Sequence, residues 1–308
     1  MKKIIMILSA VFLSNGMEAQ QDPQYNLYQF NQMVINPAYA GSRDGISAVA
    51  SNRQQWVGFD GAPKTTCASV HGPVLNKNIG LGLTLVNDMM GPRNVTSVYG
   101  NFAYILKLSP KMHLSFGLNA GYNRYQFNFD KIGFKEAEVP TQLLSSINKG
   151  TLDINGGLYL KAKSFFIGFS ATHINTPTVY SYTADNALLG KFSYRLGTHM
   201  FLTAGYSFVL DKDLVFAPTI LVKSVGNSMS MDVNANFFLY KKMWFGAFYR
   251  YGYGPGGLIS YYITNQFRVG LSYDTGLKNA TRLGPSFEGM IGFDIAGSKS
   301  KIINPRFL

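Results

Sequence analysis

From Met112 to Arg124 the chain reads MHLSFGLNAGYNR, with apolar residues at the even positions through Tyr122 and polar residues or glycine at the odd positions up to Asn123. Side chains alternate faces along a strand, so this stretch has one oily face and one wet face. At ~3.3 Å per residue it is longer than the ~9–11 tilted residues that a membrane-crossing strand needs. Repeated along the chain, this alternation predicts an all-β fold, a transmembrane antiparallel β-barrel.

Composition narrows the alternatives. Hydrophobic residues make up 46% of the 308 and charged residues 14%, yet the one long apolar run is 4–13. That is shorter than the ~18 residues of a spanning helix, so a membrane solution has to be a barrel. The 23 Phe, 19 Tyr and 32 Gly suit aromatic girdles and crowded lumen-facing positions. Few prolines and little charge argue against a disordered chain. The balance of +12, from 28 Lys and Arg against 16 Asp and Glu, suits lipopolysaccharide, cell-wall polymers or an acidic partner; nucleic acid is not expected for an exported chain.

Residues 1–19 read as a secretory signal, with Lys2 and Lys3 as the basic start, Ile4–Leu13 as the apolar middle and Met17-Glu18-Ala19 as the cleavage site. Cys67 is the single cysteine and lies away from that site, so it offers neither a lipid anchor nor an intrachain disulfide. Residues 20–45 lack strand alternation. Tyr25, Tyr28 and Gln32 fall at helical spacing, as do Leu27, Phe30 and Val34, and Asn36-Pro37 would end such a helix. The expectation is a short helix and a turn, plugging the barrel, lying on its periplasmic mouth, or serving as an inert lead-in to the first strand.

From Ile46 onward, alternation and turn signals give about fourteen strands, over 46–56, 65–74, 78–87, 96–107, 112–127, 151–161, 164–174, 194–210, 214–223, 228–239, 243–251, 256–263, 267–273 and 286–293. The barrel is thus expected over 46–293, followed by a basic tail at 294–308. One set of connections is tight: 75–77, 108–111, 162–163, 211–213, 240–242 and 264–266. The other is mostly longer: 57–64, 88–95, 128–150, 175–193, 252–255 and 274–285, with 224–227 the short exception. Short periplasmic turns and longer outer loops produce this sorting. Lys77, Lys111, Lys163, Lys212, Lys241 and Lys242 fall in the tight turns. They form either a periplasmic basic rim for an acidic partner or ordinary solvated turns.

Faces follow from the alternation. Ile79, Leu81, Leu83 and Leu85 oppose Gly80, Gly82 and Thr84; Leu152, Ile154, Leu158 and Leu160 oppose Asp153, Asn155 and Lys161; Phe267, Val269 and Leu271 oppose Arg268, Gly270 and Ser272. A bare charge on the lipid face at mid-membrane costs about 2–4 kcal/mol, which assigns Asp153, Asp232, Asn234, Arg250 and Arg268 to the lumen.

Signals for chemistry are weak. Gly252, Gly254 and Gly257 match G-x-G-x-x-G by letter, but a strand pattern follows where a nucleotide site needs a helix. His71, His113, His173 and His199 show no metal-ligand spacing, so no metal and no cofactor is expected. His113 and Ser115 share a face, as alternation guarantees by chance, and no catalytic set is assigned.

The N-terminal half carries specific motifs: Asp22-Pro23-Gln24-Tyr25, Phe30-Asn31-Gln32, 36–42 (NPAYAGS) and 55–63 (QWVGFDGAP). With 69–73 (SVHGP), Gly80-Leu81-Gly82, Asn87-Asp88, Gly91-Pro92 and 234–237 (NANF) before Lys241-Lys242, they resemble the PorP/SprF family across essentially the whole mature chain. The resemblance implies a multi-pass outer-membrane barrel of the type IX secretion system of Bacteroidota, without catalytic residues. It further implies export or surface anchoring of large proteins, gliding adhesins among them, that carry a C-terminal sorting domain. Implied partners are such a client, other secretion components and outer-membrane lipid; the competing reading is a channel or hydrophobic-solute transporter. The chain departs from the usual outer-membrane pattern in continuing past Phe293.

Beside the resemblance stands a physical reading. Asn36-Pro37 with Gly41 specifies a stiff turn, and Tyr25, Tyr28, Phe30 and Tyr39 are rings suited to a protein contact. Arg53, Trp56 and Asp60 suggest a second patch near the first outer loop. Together with Asn31, these residues are candidates either for partner contact, for holding a plug, or for sealing the lumen.

Overall fold

The computed structural model of the protein describes residues 22–74, 78–128, 146–183 and 191–295. Extended backbone forms wherever the alternation is sustained: β1 (Ile46–Gln54), β2 (Lys64–Val74), β3 (Ile79–Met90), β4 (Arg93–Ser109), β5 (Met112–Phe127), β6 (Ile147–Ala162), β7 (Phe165–Thr172), β8 (Thr178–Thr183) and β9 (Lys191–Arg195). The series continues as β10 (His199–Tyr206), β11 (Phe208–Asp211), β12 (Leu214–Phe216), β13 (Thr219–Val225), β14 (Ser228–Leu239), β15 (Met243–Arg250), β16 (Gly254–Tyr262), β17 (Phe267–Asp274) and β18 (Ser286–Ile295).

All but β8 and β9 join one antiparallel sheet of sixteen strands. Pairing of β1 with β18 and of β14 with β15 closes it into a ring. Two staves of the ring are interrupted: β10 and β11 are halves of one, broken at Ser207, and β12 and β13 are halves of another, broken at Ala217-Pro218, so the ring has fourteen staves. Pro218 has no N–H to give to the ladder, which is why a break is tolerated there. β8 and β9 form a separate hairpin in the long connection between β7 and β10.

Among the described residues no helix is long and apolar enough to cross a membrane. The strands carry the crossing instead. On β5, Phe116, Leu118 and Tyr122 are exposed on the outer wall while Ser115, Asn119 and Asn123 are buried. The same division holds on β6, where Leu152 is 72% exposed and its neighbour Asp153 fully buried. All five residues assigned to the lumen, Asp153, Asp232, Asn234, Arg250 and Arg268, face inward and are no more than 3% exposed.

Among the described residues, the end of the ring where β1 begins carries the short turns, and the opposite end carries the longer connections. The sorting is less complete than the sequence suggests. Residues 88–95 are not a loop: β3 and β4 pair out to Met90 and Arg93, leaving Gly91-Pro92 as the turn. Buried Asp88, which accepts from Thr65 Oγ1 at 2.7 Å and Arg93 Nη1 at 3.3 Å, satisfies the extension from inside. Lys111, Lys163, Lys212, Lys241 and Lys242 are exposed at the turn end. Lys77 and the tail beyond Ile295 lie outside the described residues.

Residues 22–45 occupy the lumen. In place of the expected single helix there are three single-turn 3₁₀ segments, Tyr28–Phe30, Gln32–Val34 and Pro37–Tyr39. Asn36-Pro37 opens the third instead of ending a helix: the Asn36 side chain accepts from the Ala38 N–H at 2.9 Å and Pro37 takes the first position. A polar wall surrounding the segment supplies partners for its main chain, so the segment can forgo a continuous helical ladder.

The facing assignment is directly testable. Leu83 lies mid-strand on the outer wall and is 44% exposed. Leu83→Arg is expected to lower unfolding stability in liposomes by about 2–4 kcal/mol. Lumen-facing Thr84→Ser should change it little; urea titration followed by tryptophan fluorescence measures both.

Candidate functional site in the filled lumen

The lumen segment enters at the loop end, descends to Phe30, crosses to the wall made by β6 and β7, and leaves at the turn end into β1. Its closeness to the wall depends on glycine. A Cβ on Gly117 would lie 2.1 Å from the Ala38 main-chain nitrogen, and one on Gly80 would lie 2.0 Å from the Ala40 carbonyl oxygen. Only a residue without a side chain fits at either position.

Toward the loop end the contact is polar and charged. Arg53 Nη1 on β1 lies 2.8 Å from Asp274 Oδ2 and 3.8 Å from Glu288 Oε2, and all three side chains are at most 1% exposed. Arg250 forms a two-point contact with Asp232, at 2.9 Å for both Nε and Nη2. Asn26 of the lumen segment sits between these pairs. Its main-chain N–H donates to Glu288 Oε2 at 2.6 Å, its side-chain amide donates to Asp274 and Ser272, and its carbonyl oxygen accepts from Arg250 Nη2 at 3.2 Å. One asparagine, through its main-chain N–H and its side-chain amide, thus satisfies charged groups from three strands of the wall. Farther in, the Tyr28 hydroxyl accepts from Asn234 Nδ2 at 2.8 Å, and Gln29 Oε1 accepts from Asn236 Nδ2 at 2.9 Å.

Toward the turn end the contact becomes aromatic. Phe30 meets Trp244 edge-on at 6.1 Å between centroids, and Arg268 lies over the Phe30 ring at 5.7 Å. Tyr39 stands edge-on to both His71 and Tyr159 at 5.3 Å. On the β6–β7 wall, the Asn36 amide donates to the Leu158 carbonyl at 3.0 Å and the Phe169 carbonyl at 3.3 Å. Ser69 Oγ on β2 donates to Asn31 Oδ1 at 2.8 Å. Arg43 ends the segment on Asp294 at 3.2 Å.

At the loop end Asp22 meets two histidines. His173 Nε2 is 2.7 Å from Asp22 Oδ1, while His173 Nδ1 is 2.8 Å from Asp153 Oδ2. Burial pulls the imidazolium pKa of His173 down, but the flanking carboxylates of Asp22 and Asp153 outweigh it and push the value up to about 10. His199 Nδ1 lies 3.7 Å from Asp22 Oδ2, and Thr172 Oγ1 donates to the same oxygen at 3.0 Å. Above this cluster a vestibule of about 330 Å³ opens, lined by Trp56, His199, Lys223, Arg250, Tyr251 and Tyr253 among others. Between the segment and the wall on the other side remains a cavity of about 80 Å³.

The structure therefore gathers Tyr25, Tyr28, Phe30, Asn31, Asn36, Pro37 and Tyr39 inside the barrel, all buried. Arg53 joins them on the lumen side. It does not form one patch with Trp56 and Asp60, which lie in the loop above it, Trp56 half-buried and Asp60 exposed. Inward-facing Asp274 and Glu288, and the Asp22–His173–His199 cluster, escaped sequence reasoning. The first two share the lumen parity of Arg268 and Ser272 and were legible by extending that register one stave; the cluster has no local spacing to reveal it.

Because a buried carboxylate pair depends on its cation, Arg53→Met is expected to destabilise the folded barrel by about 3–5 kcal/mol. The double variant Arg53→Met with Glu288→Gln should recover part of that loss, and reversible unfolding in detergent or liposomes measures the difference.

Comparison with known proteins places this geometry. Among solved structures, the chain resembles a protein titled "CymD monoaromatic hydrocarbon channel" at a TM-score of 0.51 and 13% identity, over 87% of this chain and 92% of that one. A second, titled "TodX deltaS2S3 mutant monoaromatic hydrocarbon channel", aligns at a TM-score of 0.50 and 9% identity, over 89% of this chain and 95% of that one. At such identities the likeness is one of fold. No curated protein matches the sequence. The family described as "Type IX secretion system membrane protein PorP/SprF" matches residues 17–293. With an antiparallel barrel closed on itself and a match spanning nearly all of the sequence, the chain belongs to the PorP/SprF family of outer-membrane type IX secretion proteins.

Proposed function

We propose that this barrel serves type IX secretion as a sealed, non-conducting subunit that supports the export and surface anchoring of large proteins bearing a C-terminal sorting domain. The observation that carries the reading is the filled lumen: residues 22–45 contact the wall from the loop end to the turn end, and their side chains satisfy its charges. A polypeptide client has no passage beside such a segment. It meets the barrel at its rims, where the loops and vestibule face outward and the exposed lysines of the tight turns face the periplasm.

A solute channel is the competing reading, and the vestibule and the cavity on either side of Asp22 are the features that favour it. It requires the segment to move. Planar-bilayer recordings separate the two. The full-length protein is expected to show no steady unit conductance, whereas a variant lacking 22–42, or Gly117→Val with its clash against Ala38, should conduct. Steady conductance by the intact barrel would overturn the sealed reading. Surface proteomics of a strain lacking the gene, against its complemented parent, tests the client side: a few large proteins sharing a C-terminal domain should leave the surface.

A further inference from the structure

Three side chains distant in sequence converge where the lumen segment begins. Asp22 belongs to that segment, His173 follows the last residue of β7, and His199 is the first residue of β10. One ligand atom from each lies within 4.8 Å of the other two. Both histidine side chains are only 6% exposed.

The hydrogen bonds set up a specific chemical demand. His173 Nδ1 faces Asp153 Oδ2 at 2.8 Å, and Nε2 is the nitrogen turned toward Asp22. That nitrogen stands 2.7 Å from Asp22 Oδ1. Two such atoms at this distance are held by something positive between them, a proton or a metal ion. His199 shows a related deficit: its Nδ1 is 3.1 Å from the Gly197 carbonyl oxygen, and its Nε2 is buried with no partner. A second proton on His173 satisfies the His173–Asp22 contact and leaves His199 as it is. A cation held by all three residues satisfies that contact and also engages His199, whose Nδ1 lies 3.7 Å from Asp22 Oδ2.

We propose that Asp22, His173 and His199 bind a borderline divalent transition metal, of which zinc is the representative, and that the metal staples the start of the lumen segment to the barrel wall. Two imidazoles and one carboxylate favour zinc-class ions over calcium or magnesium, which prefer all-oxygen sites. Asp153 on His173 and Thr172 on Asp22 are the outer partners that orient metal ligands. Ligand atoms around a four-coordinate zinc stand roughly 3.3 Å apart, so loading spreads His173 and Asp22 by roughly half an ångström. The vestibule and the inner cavity both reach Asp22, leaving room beside the three residues for water or a ligand from a partner.

The experiment uses untagged full-length protein in detergent, stripped with chelator and then titrated with cobalt(II) and zinc(II). One equivalent of cobalt should bind with the d–d absorption of a low-coordinate site, and zinc should displace it. His199→Gln and Asp22→Asn are each expected to weaken binding more than 10-fold, and Asp153→Asn by about 10–100-fold through its effect on His173. His113→Gln, on β5 near the turn end, should bind as the parent does. Protease cleavage within 22–45 should slow on adding metal in the parent and not in His199→Gln, and heat-shifted gel mobility verifies that each barrel has assembled. If the assembled parent takes up no metal, or if a His173→Gln, His199→Gln double variant binds as tightly as the parent, the staple is excluded and a proton alone bridges His173 and Asp22.

Discussion

In the hydrocarbon of a bilayer there is no water to pair with a free N–H or C=O, so a spanning sheet must satisfy every main-chain group within itself. For this chain the requirement is met by two junctions, β1 with β18 and β14 with β15, which leave the staves without an edge. Once the ring is closed, the inward residues are fixed by parity. A ring of fourteen staves is also too wide for its own side chains to fill. Closure thus creates a second problem, a polar interior needing partners, and residues 22–45 resolve it with the same currency of main-chain and side-chain hydrogen bonds.

The wall and the segment are matched in chemistry along their length. Where the wall presents Arg53, Asp232, Arg250, Asp274 and Glu288, the segment offers Asn26, whose amide can donate and accept at once. A charged residue in that place would have upset a network already close to neutral. Where the wall turns aromatic, with Phe238, Trp244 and Tyr262, the segment presents Phe30. The mutual fit explains how three isolated 3₁₀ turns, each too short to persist alone, hold one conformation: the wall contributes the order that the local sequence lacks.

Much of this was legible in the residues. Period-two alternation over Met112–Arg124 fixes the outer and inner faces of β5, and repeating the test located the fourteen staves and the lumen charges. Boundaries were weaker. Residues 88–95 read as a loop, whereas inside the barrel Thr65 and Arg93 pair Asp88 and the ladder continues to Met90 and Arg93. The segment's helix failed for a related reason, since spacing alone carries no information about a surrounding polar wall. Least legible was the meeting of Asp22, His173 and His199. Each sits at the end of a different element, and only the stagger of β7 against β10, His199 opposite Thr172, brings the rings together.

Filling the lumen also decides where the barrel can meet other molecules. A wide empty ring offers its interior; a filled one offers two rims and a wall. The wall here is aliphatic and aromatic and faces lipid, so the rims carry what chemical individuality is left. They differ sharply. Lysines crowd the short turns at one end, while the other bears the long loops, the β8–β9 hairpin and an aromatic and basic vestibule floored by the start of the lumen segment. Asp22 links that floor to the wall, and the chain then runs through Asn26, Phe30 and Tyr39 to Arg43 at the lysine end. One continuous, buried stretch of main chain therefore joins the two rims mechanically, and a shift of its first residue at the loop-bearing rim has a covalent path to the lysine-bearing one.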